Sequence, residues 1–254
     1  MRPAIKTFEL GNKMSDLLIE DRGGVRILTM NRPDKRNALN HALTQALLAA
    51  LHDTESNEDV RSIVLTGSGS AFCAGADLTE FKDLTPDKAH LVESRAELTM
   101  NLHGVFSRLS KPVVTAINGA AMGGGAGLAL AGDVALMAST ARLGYPEVKH
   151  GIVAAIVMAN LVRNVGRKAA FELVAAGEPV DAARACALGL VNRVTAPDQL
   201  MTDACALAEK FAAVHRPAMA ATKQLFYRVV DLPFEQALEE GRDINQRMRA
   251  FRKS

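Results

Sequence analysis

The chain has 254 residues with 30 basic and 28 acidic side chains, a formal net charge of +2, and this near balance gives no support to a dedicated nucleic-acid binder. Apolar residues make up 48% and charged residues 23% of the chain, which excludes intrinsic disorder. Aromatic residues are 4% of the chain and Trp is absent, so sites that stack sugars or single-stranded nucleic acid on aromatic rings are disfavoured.

The first 16 residues contain no apolar core of the kind found in signal peptides. Met14 opens the first strand-like stretch, so residues 1–13 are predicted to be an extension ahead of the folded domain. Residues 112–132 carry no charge, but their glycines are typical of a buried strand, a turn and a helix, not of a membrane span. The three cysteines are far apart and odd in number, which is typical of a reducing compartment. We therefore expect a soluble, cytoplasmic protein.

Strand-like and helix-like segments alternate through the first half of the chain. Short apolar runs predict strands at Leu17–Glu20, Val25–Met30, Ile63–Thr66, Val113–Ile117 and Val134–Met137. Helical spacing of apolar residues and a glycine-led start predict helices at Asn37–Ser56, Pro86–Arg108 and Gly123–Leu130. Strands that alternate with helices indicate an α/β fold with a largely parallel sheet.

The chain after about Gly151 is predicted to be entirely helical. Helices are expected at Pro197–Val214 and Phe234–Phe251, each with a stripe of apolar side chains. These stripes are interpreted as core or subunit-contact faces. We therefore divide the chain into an α/β core at residues 14–195 and a C-terminal helical region at residues 196–254.

The motifs of several well-known sites are absent from the sequence. There is no GxxxxGKS/T phosphate loop, no GxSxG, no HExxH and no CxxC, and the dinucleotide fingerprint fails because Leu128 stands where its last glycine is required. The six histidines show no spacing typical of metal ligands. We therefore predict no metal and no cofactor, and expect the chemistry to depend on backbone N–H donors and ordinary acids or bases.

Two segments can present unpaired backbone N–H groups. Asp77 and Glu80 have the spacing of a helix N-cap and its reciprocal partner, which leaves the N–H of Ala76 outside the helix. The glycines of residues 118–127 lead into a helix, whose first N–H groups lack partners. Two such donors on one oxygen would form an oxyanion hole. The alternative is that the glycines only allow tight packing of a helix on a strand.

Four motifs resemble the crotonase (enoyl-CoA hydratase/isomerase) superfamily. They are LTMNRPDKRNALN, FCAGADL, NGAAMGGGAGLALAGD and LGYPE, in this order, and the similarity covers nearly the whole chain from about Leu17. The resemblance implies an α/β spiral of repeated ββα units with a C-terminal helical region that forms homotrimers, or hexamers as dimers of trimers. It also implies an acyl-CoA thioester substrate, with coenzyme A as part of the substrate.

The resemblance also implies roles for individual residues. The amides of Ala76 and Gly124 are expected to form the oxyanion hole for the thioester oxygen, and Glu147 is expected to be the catalytic acid/base. Lys35 and Arg36 are candidates for binding the phosphates of coenzyme A, with a solvated face as the alternative for both. The other substrate-binding positions are Ala74, Gly75, Asp77, Gly123 and Gly127.

One position departs from the hydratase pattern of the family. Hydratases use two glutamates, and Gly127 stands where the first is expected. Because a double-bond shift needs only one base, we predict enoyl-CoA isomerisation with Glu147 as the single acid/base. A side chain at position 127 is expected to point towards the space facing Glu147, and Gly127→Glu is expected to be tolerated by the fold.

Two alternatives stay open. One is an enoyl-CoA hydratase of fatty-acid or branched acyl-CoA degradation. The other, of a different class, is a non-catalytic relative that binds acyl-CoA or RNA; the preserved donor segments and the balanced charge count against it. Three further polar residues, Cys73, Asp133 and His150, are interpreted as structural.

Overall fold

A computed structural model describes residues 15–253, and the predicted extension at residues 1–13 lies outside the described residues. Ten strands are present in the described part: β1 (Leu17–Arg22), β2 (Val25–Met30), β3 (Ser62–Gly67), β4 (Ala71–Cys73), β5 (Val113–Ile117), β6 (Ala120–Met122), β7 (Val134–Ala138), β8 (Arg142–Gly144), β9 (Val180–Asp181) and β10 (Arg193–Thr195). Its helices are α1 (His41–Ser56), α2 (Ala89–Val105), α3 (Gly124–Ala131), α4 (Met158–Ala176), α5 (Ala182–Ala187), α6 (Leu200–Ala212), α7 (Arg216–Val230) and α8 (Phe234–Arg247). None of these helices is long and apolar enough to cross a lipid bilayer.

The chain repeats a unit of two strands followed by a helix. In the units β3–β4–α2, β5–β6–α3 and β7–β8–α4, the first strand joins a six-stranded sheet and the second joins a four-stranded sheet. The strand order is β1-β2-β3-β5-β7-β10 in the larger sheet and β4-β6-β8-β9 in the smaller one. Each unit therefore advances both sheets by one strand, which confirms the predicted ββα spiral.

The larger sheet forms the base of the core. Strands β2, β3, β5, β7 and β10 are parallel, and β1 pairs antiparallel with β2. Every residue of β3 and β5 is buried, as expected for a parallel sheet covered on both faces. Helix α6 packs on β3 and β5, and α1 packs against β1, β2 and α2.

The smaller sheet carries the segments that the motifs single out. Strand β4 ends at Cys73, β6 ends at Met122 before the glycine triplet, and β8 ends at Gly144, three residues before Glu147. These three strands are parallel neighbours. Their carboxyl ends meet at one edge of the sheet, where ligands of α/β proteins commonly bind. The three candidate segments therefore lie side by side.

The predicted boundaries of two helices in the α/β core are wrong. Helix α1 begins at His41 rather than Asn37, because Asn37 has a positive φ of 56° and its side-chain amide donates to the carbonyls of Ser68, just after β3, and of Ala71, the first residue of β4. Asn40 caps the helix instead, accepting a hydrogen bond from the Leu43 N–H. In the predicted helix Pro86–Arg108, α2 occupies only the middle, with a 3-10 turn on each side.

The chain after Gly151 is not entirely helical, contrary to the prediction. Strand β9 closes the smaller sheet and β10 extends the larger one. Strands of two or three residues are too short to produce a periodic signal. Helices α4 and α7 also lie in this region, where the sequence pattern set no bounds for them.

The C-terminal helices α7 and α8 pack against each other and leave apolar side chains exposed. Phe226, Phe234 and Leu238 are 59%, 77% and 58% exposed. A groove of about 1170 Å³ runs between the two helices. This face differs from the core, where apolar side chains are fully buried.

Candidate active site

The two donor segments lie against each other at the edge of the smaller sheet. Gly75 has a φ of +91°, and a side-chain carbon on it would be 2.7 Å from the carbonyl oxygen of Met122 and 3.3 Å from the amide nitrogen of Gly124. A side-chain carbon on Gly124 would lie 3.8 Å from the amide nitrogen of Ala76. Only glycine combines this backbone angle with so close an approach, and the approach brings the two predicted amides together.

Both amides are free to bind a ligand. The Leu39 N–H donates to the carbonyl of Gly75 and the Asp77 N–H donates to the carbonyl of Leu39, which leaves the Ala76 N–H without a partner among residues 15–253. Gly124 is the first residue of α3, so its N–H lacks an acceptor within the helix. Ala76 is exposed and Gly124 is partly exposed. Two accessible, unpaired donors side by side can bind one oxygen atom.

Arg32 anchors the segment that carries Ala76. Its guanidinium donates to the Asp77 carboxylate at 2.9 Å and to the carbonyl of Ala38. Burial raises the pKa of Asp77, but hydrogen bonds from Thr79 and Arg32 outweigh burial and hold the pKa below its ordinary value. The ionised Asp77 therefore ties the donor segment to the stretch before α1.

Arg95 holds Leu39, the residue whose backbone pairs with the segment that carries Ala76. It donates to the carbonyl of Leu39 at 2.7 Å, and Leu39 in turn is bonded to the donor segment. Asp77 caps the short helix Leu78–Asp83 as predicted, accepting from the Thr79 N–H at 3.2 Å. The predicted reciprocal contact of Glu80 is wrong, because its carboxylate accepts from the His41 N–H at 2.9 and 3.0 Å instead. Glu80 thus caps the N-terminus of α1, which is distant in sequence, and not the short helix Leu78–Asp83 in which it lies.

The Glu147 carboxylate lies next to the glycine turn before α3. It belongs to the 3-10 turn Pro146–His150, and a side-chain carbon on Gly123 would be 2.8 Å from its Oε1. Its Oε2 is buried and has no hydrogen-bond partner in the described part of the chain. Burial raises the pKa of Glu147, and its own backbone N–H and the nearby His150 offset only part of this effect. Such a carboxylate is suited to take up a proton and return it.

The space next to Gly127 is filled. A side-chain carbon at this position would lie 2.3 Å from Cγ1 of Val157 and 2.8 Å from Cε1 of His103. The expectation that the fold tolerates a glutamate here is therefore wrong, because its atoms would overlap these two side chains. The position at which hydratases of the family carry the first of their two glutamates is thus closed by an apolar side chain and an imidazole.

The basic candidates lie at the rim of the site. Lys35 and Arg36 are exposed, and the carbonyl of Arg36 accepts from the Ala74 N–H at 2.9 Å. Both residues are therefore placed beside the donor segment, and their part in binding coenzyme A stays a prediction.

Two of the three polar residues that were interpreted as structural, Asp133 and Cys73, have structural surroundings, whereas His150 is exposed and lies near Glu147. Asp133 accepts hydrogen bonds from the Val113 N–H at 2.6 Å, from Lys223 at 2.7 Å and from the Tyr227 hydroxyl at 2.8 Å, which anchors α7 on the core. Cys73 is buried, and burial raises the pKa of its thiol to about 12. Within residues 15–253, no group of three or more His, Cys, Asp or Glu side chains is arranged to hold a metal ion.

A ββα spiral that brings two free amides beside a carboxylate is the architecture of a crotonase-type protein. The sequence profile of the family described as "Enoyl-CoA hydratase/isomerase" matches residues 20–252, and the chain belongs to this family.

Individual relatives agree with this assignment. The chain is 41% identical over 244 residues to a Thermus thermophilus protein named "Putative enoyl-CoA hydratase", with 91% of this chain and 95% of the relative covered. It is 36% identical over 234 residues to the 2,3-dehydroadipyl-CoA hydratase of Escherichia coli, with 91% and 89% covered. The crystal structure of an enoyl-CoA hydratase from Mycobacterium smegmatis matches with a TM-score of 0.87 at 37% identity, covering 92% of this chain and 91% of that chain. The protein is therefore an acyl-CoA enzyme of this family.

Four residues of the site were not singled out from the sequence. Arg32 lies within the motif LTMNRPDKRNALN, so the motif could have drawn attention to it. Arg95, His103 and Val157 stand in no motif, and only the packing of α2 and of the stretch before α4 brings them to the site.

Proposed function

We propose that the protein is an enoyl-CoA isomerase that converts a 3-enoyl-CoA into a 2-enoyl-CoA, with Glu147 as its single acid/base. The observation that carries the proposal is the position of the Glu147 carboxylate, next to Gly123 and thus beside the free amides of Ala76 and Gly124. The filled space at Gly127 supports it, because a second carboxylate that would help to hold a water molecule has no room there.

The reaction follows from these groups. The thioester oxygen accepts hydrogen bonds from the two amides, which stabilises the negative charge that develops when a proton leaves C2. Glu147 takes that proton, and the electron pair spreads over C2, C3, C4 and the thioester oxygen. The protonated carboxyl then returns its proton to C4, which leaves the double bond between C2 and C3. No atom is gained or lost, and the carboxylate is regenerated.

The experiment that tests this function compares two substrates. A 3-enoyl-CoA should be converted into the 2-enoyl thioester, which is followed by its ultraviolet absorbance, and the product should keep the substrate's mass. A 2-enoyl-CoA should gain water slowly or not at all. Rapid formation of 3-hydroxyacyl-CoA from the 2-enoyl substrate would contradict the isomerase proposal.

Hydration is the second candidate, and the names of the relatives favour it. The relatives in Thermus thermophilus and Escherichia coli are named as hydratases, and so is the "Short-chain-enoyl-CoA hydratase" of Clostridium acetobutylicum, which is 33% identical over 231 residues. In that reaction Glu147 would take a proton from the water that attacks C3, and the same two amides would stabilise the enolate. The protonated carboxyl would then deliver this proton to C2, which completes the addition of water and regenerates the carboxylate. The substrate comparison above decides between the two reactions.

The basic rim and the composition support two further parts of the proposal. Lys35 and Arg36 would bind the phosphates of coenzyme A beside the donor segment, where both side chains are exposed. We expect the enzyme to work in the cytoplasm without a metal or a separate cofactor, with coenzyme A entering as part of the substrate.

We also propose that the chain assembles as a homotrimer or a hexamer through α7 and α8. Phe226 lines the groove of about 1170 Å³ between the two helices, and Phe234 and Leu238 are exposed on α8. A second copy of the chain would bury this apolar surface, as closed symmetric assemblies do. Light scattering at micromolar concentration should give a trimeric or hexameric mass, and Leu238→Lys should lower it. A monomeric mass for the unmodified chain would contradict the proposal.

A further inference from the structure

The two amides of the reaction site have different structures behind them. Gly124 is the first residue of α3, so its N–H lies at the positive end of an eight-residue helix. Ala76 has no α-helix behind it, because the 3-10 helix that follows spans Leu78–Asp83 and begins only after the Asp77 cap. The position and the donor strength of the Ala76 N–H therefore depend on other groups.

A chain of two hydrogen-bonded peptide groups leads from Arg32 to the Ala76 N–H. The Arg32 guanidinium donates to the carbonyl of Ala38. The N–H of that peptide group belongs to Leu39 and donates to the carbonyl of Gly75 at 2.7 Å. The N–H of this second peptide group is that of Ala76, which has no partner in the described part of the chain. The two peptide groups thus connect a cation to the free donor.

The interior of the protein encloses this chain of peptide groups. Ala38, Leu39 and Gly75 are buried, and the Arg32 side chain is 14% exposed. A carbonyl that accepts a hydrogen bond polarises its peptide group and makes the N–H of the same group a stronger donor, and a low dielectric increases this effect. The guanidinium therefore acts on the Ala76 N–H without contacting it.

Arg32 holds both ends of the same turn. Besides the Ala38 carbonyl, its guanidinium binds the carboxylate of Asp77, the residue after Ala76, at 2.9 Å, and Asp16 lies 3.6 Å away. The planar fork of arginine suits it to two such acceptors at once. The backbone of Arg32 is fixed separately, since its N–H donates to the Asn37 side chain at 2.8 Å. A change of the Arg32 side chain therefore removes these contacts and leaves the anchor of its backbone.

We propose that Arg32 is a positioning residue for the reaction, which orients the Ala76 N–H and strengthens it as a donor through the two peptide groups. The proposal rests on the proposed function in that Ala76 binds the thioester oxygen. Charge develops on this oxygen as the enolate forms, so a stronger donor stabilises the enolate more than the uncharged thioester. Arg32 should therefore affect kcat more than KM.

The test measures the infrared frequency of a bound thioester carbonyl. Butanoyl-CoA, isotope-labelled at this carbonyl, has no double bond to move, and its band shifts to lower frequency when the oxygen accepts hydrogen bonds. Arg32→Met is made in an Asp77→Asn background, because the Asp77 carboxylate would otherwise be left buried and unpaired. Compared with Asp77→Asn alone, the double variant should lose about 10–30% of the shift, the cooperative share of one hydrogen bond.

The same pair of variants is compared in turnover of a 3-enoyl-CoA. The double variant should have a kcat about two- to eightfold lower than Asp77→Asn, since one oxyanion donor contributes about 10²–10³-fold and the cooperative share applies to its free energy. KM should change less than twofold.

Arg32→Lys is a second variant, which keeps the positive charge. Lysine has one nitrogen in place of the fork, and the Asp77 carboxylate occupies it, so part of the frequency shift should again be lost. Arg26→Lys is the matched control, because Arg26 is also a buried arginine but is paired with Asp21 at 2.7 Å and Asp53 at 2.6 Å. This control should keep the full shift.

A full shift in the double variant would mean that Arg32 only neutralises Asp77, which would overturn this inference and leave the proposed function in place. A full shift in Arg32→Lys would overturn it equally, and this variant decides the question if the double variant does not fold. No shift in the unmodified protein would reject both the inference and the oxyanion site of the proposed function. A shift that depends on Arg32, in a protein that does not isomerise a 3-enoyl-CoA, would reject isomerisation and retain the inference.

Discussion

Helices α3 and α8 both contain glycine in their interiors, but in opposite surroundings. Seven of the eight residues of α3 are buried, and a side-chain carbon on Gly125 would lie 2.1 Å from the carbonyl oxygen of Cys73. No residue of α8 is buried, and a side-chain carbon on Gly241 would meet no atom within 4 Å.

This difference shows where the fold and the chemistry depend on each other. Gly125 allows α3 to lie directly on β4, and this contact keeps the Gly124 amide beside Ala76. Helix α8 has no such contact, so its glycine carries only the entropic cost of glycine in a helix. The active site is thus held by the chain's own interior, whereas α8 packs on α7 and leaves apolar side chains exposed.

The largest expected effect comes from exchanging these two glycines for alanine. Gly125→Ala should destabilise the protein by about 3 kcal/mol or more, because the new methyl group overlaps backbone atoms of Cys73 that cannot move away. In the unassembled chain, where a side-chain carbon on Gly241 would meet no atom within 4 Å, Gly241→Ala should stabilise it by about 1 kcal/mol, the difference in helix propensity. Urea denaturation of both variants and the unmodified protein measures the two values.

Similar values for the two variants would remove the contrast between the helices. A loss of stability in Gly241→Ala would mean that another molecule packs on α8 at this position in solution. The contrast would then be between a helix covered by its own chain and a helix covered by another molecule.

The second expected effect concerns chemistry without loss of fold. Glu147→Gln should lower turnover at least about a hundredfold, the low end for a lost general base, while acyl-CoA binding is kept and the variant is no less stable than the unmodified protein. In the unmodified protein, turnover should increase as pH rises through the raised pKa of Glu147, because the ionised form is the base. Turnover is measured over a series of pH values, and acyl-CoA binding is measured by calorimetry at one pH. Near-normal turnover in the variant would show that another group is the base.

The third expected effect tests the filled space beside the reaction site. Gly127→Ala should cost about 1–3 kcal/mol, because the methyl group overlaps side chains, which can shift, rather than backbone. Val157→Ala in the same molecule should recover part of this cost by removing Cγ1, the atom in closest approach. A double-mutant cycle by urea denaturation should give a coupling of about 0.5–3 kcal/mol. Additive single effects would show that Val157 does not fill the space of the missing side chain.

The sequence predicts the fold best where the signal is local. The strands Val25–Met30 and Val113–Ile117 are confirmed with their bounds, because continuous apolar runs of buried parallel strands need no distant partner to be recognised. The start of α1 is missed, because the side chain of Asn37 bonds to carbonyls more than 30 residues away. The resemblance of the motifs supplies the spiral, which no local pattern could show.

In the candidate site too, the residues that lie in motifs are predicted, whereas those set by contacts distant in sequence are missed. Gly75, Gly124 and Glu147 come from motifs, and the structure brings them together. What stands beside Gly127 is set by α2 and by the stretch before α4, so the sequence shows that a side chain is missing there but not which atoms replace it. Arg95 is missed for the same reason, since its role depends on a carbonyl 56 residues away.

The smallest expected effect is a pH-dependent difference in stability between Glu147→Gln and the unmodified protein. Because burial raises the pKa of Glu147 in the folded state, the folded protein binds more protons than the unfolded chain between the ordinary pKa of glutamate, about 4.3, and the raised value. Stability therefore falls as pH rises through this window, and the loss is complete above the raised pKa.

Glutamine carries no charge, so the Glu147→Gln variant escapes this loss of stability. The variant should be the more stable of the two at pH 8, and this advantage should vanish below about pH 4, where the carboxyl is protonated in both the folded and the unfolded chain. Urea denaturation of both proteins between pH 4 and pH 8 measures the difference. An advantage for the variant that does not change with pH would mean that it comes from packing, and that the Glu147 carboxylate is not held in the environment that makes it a base.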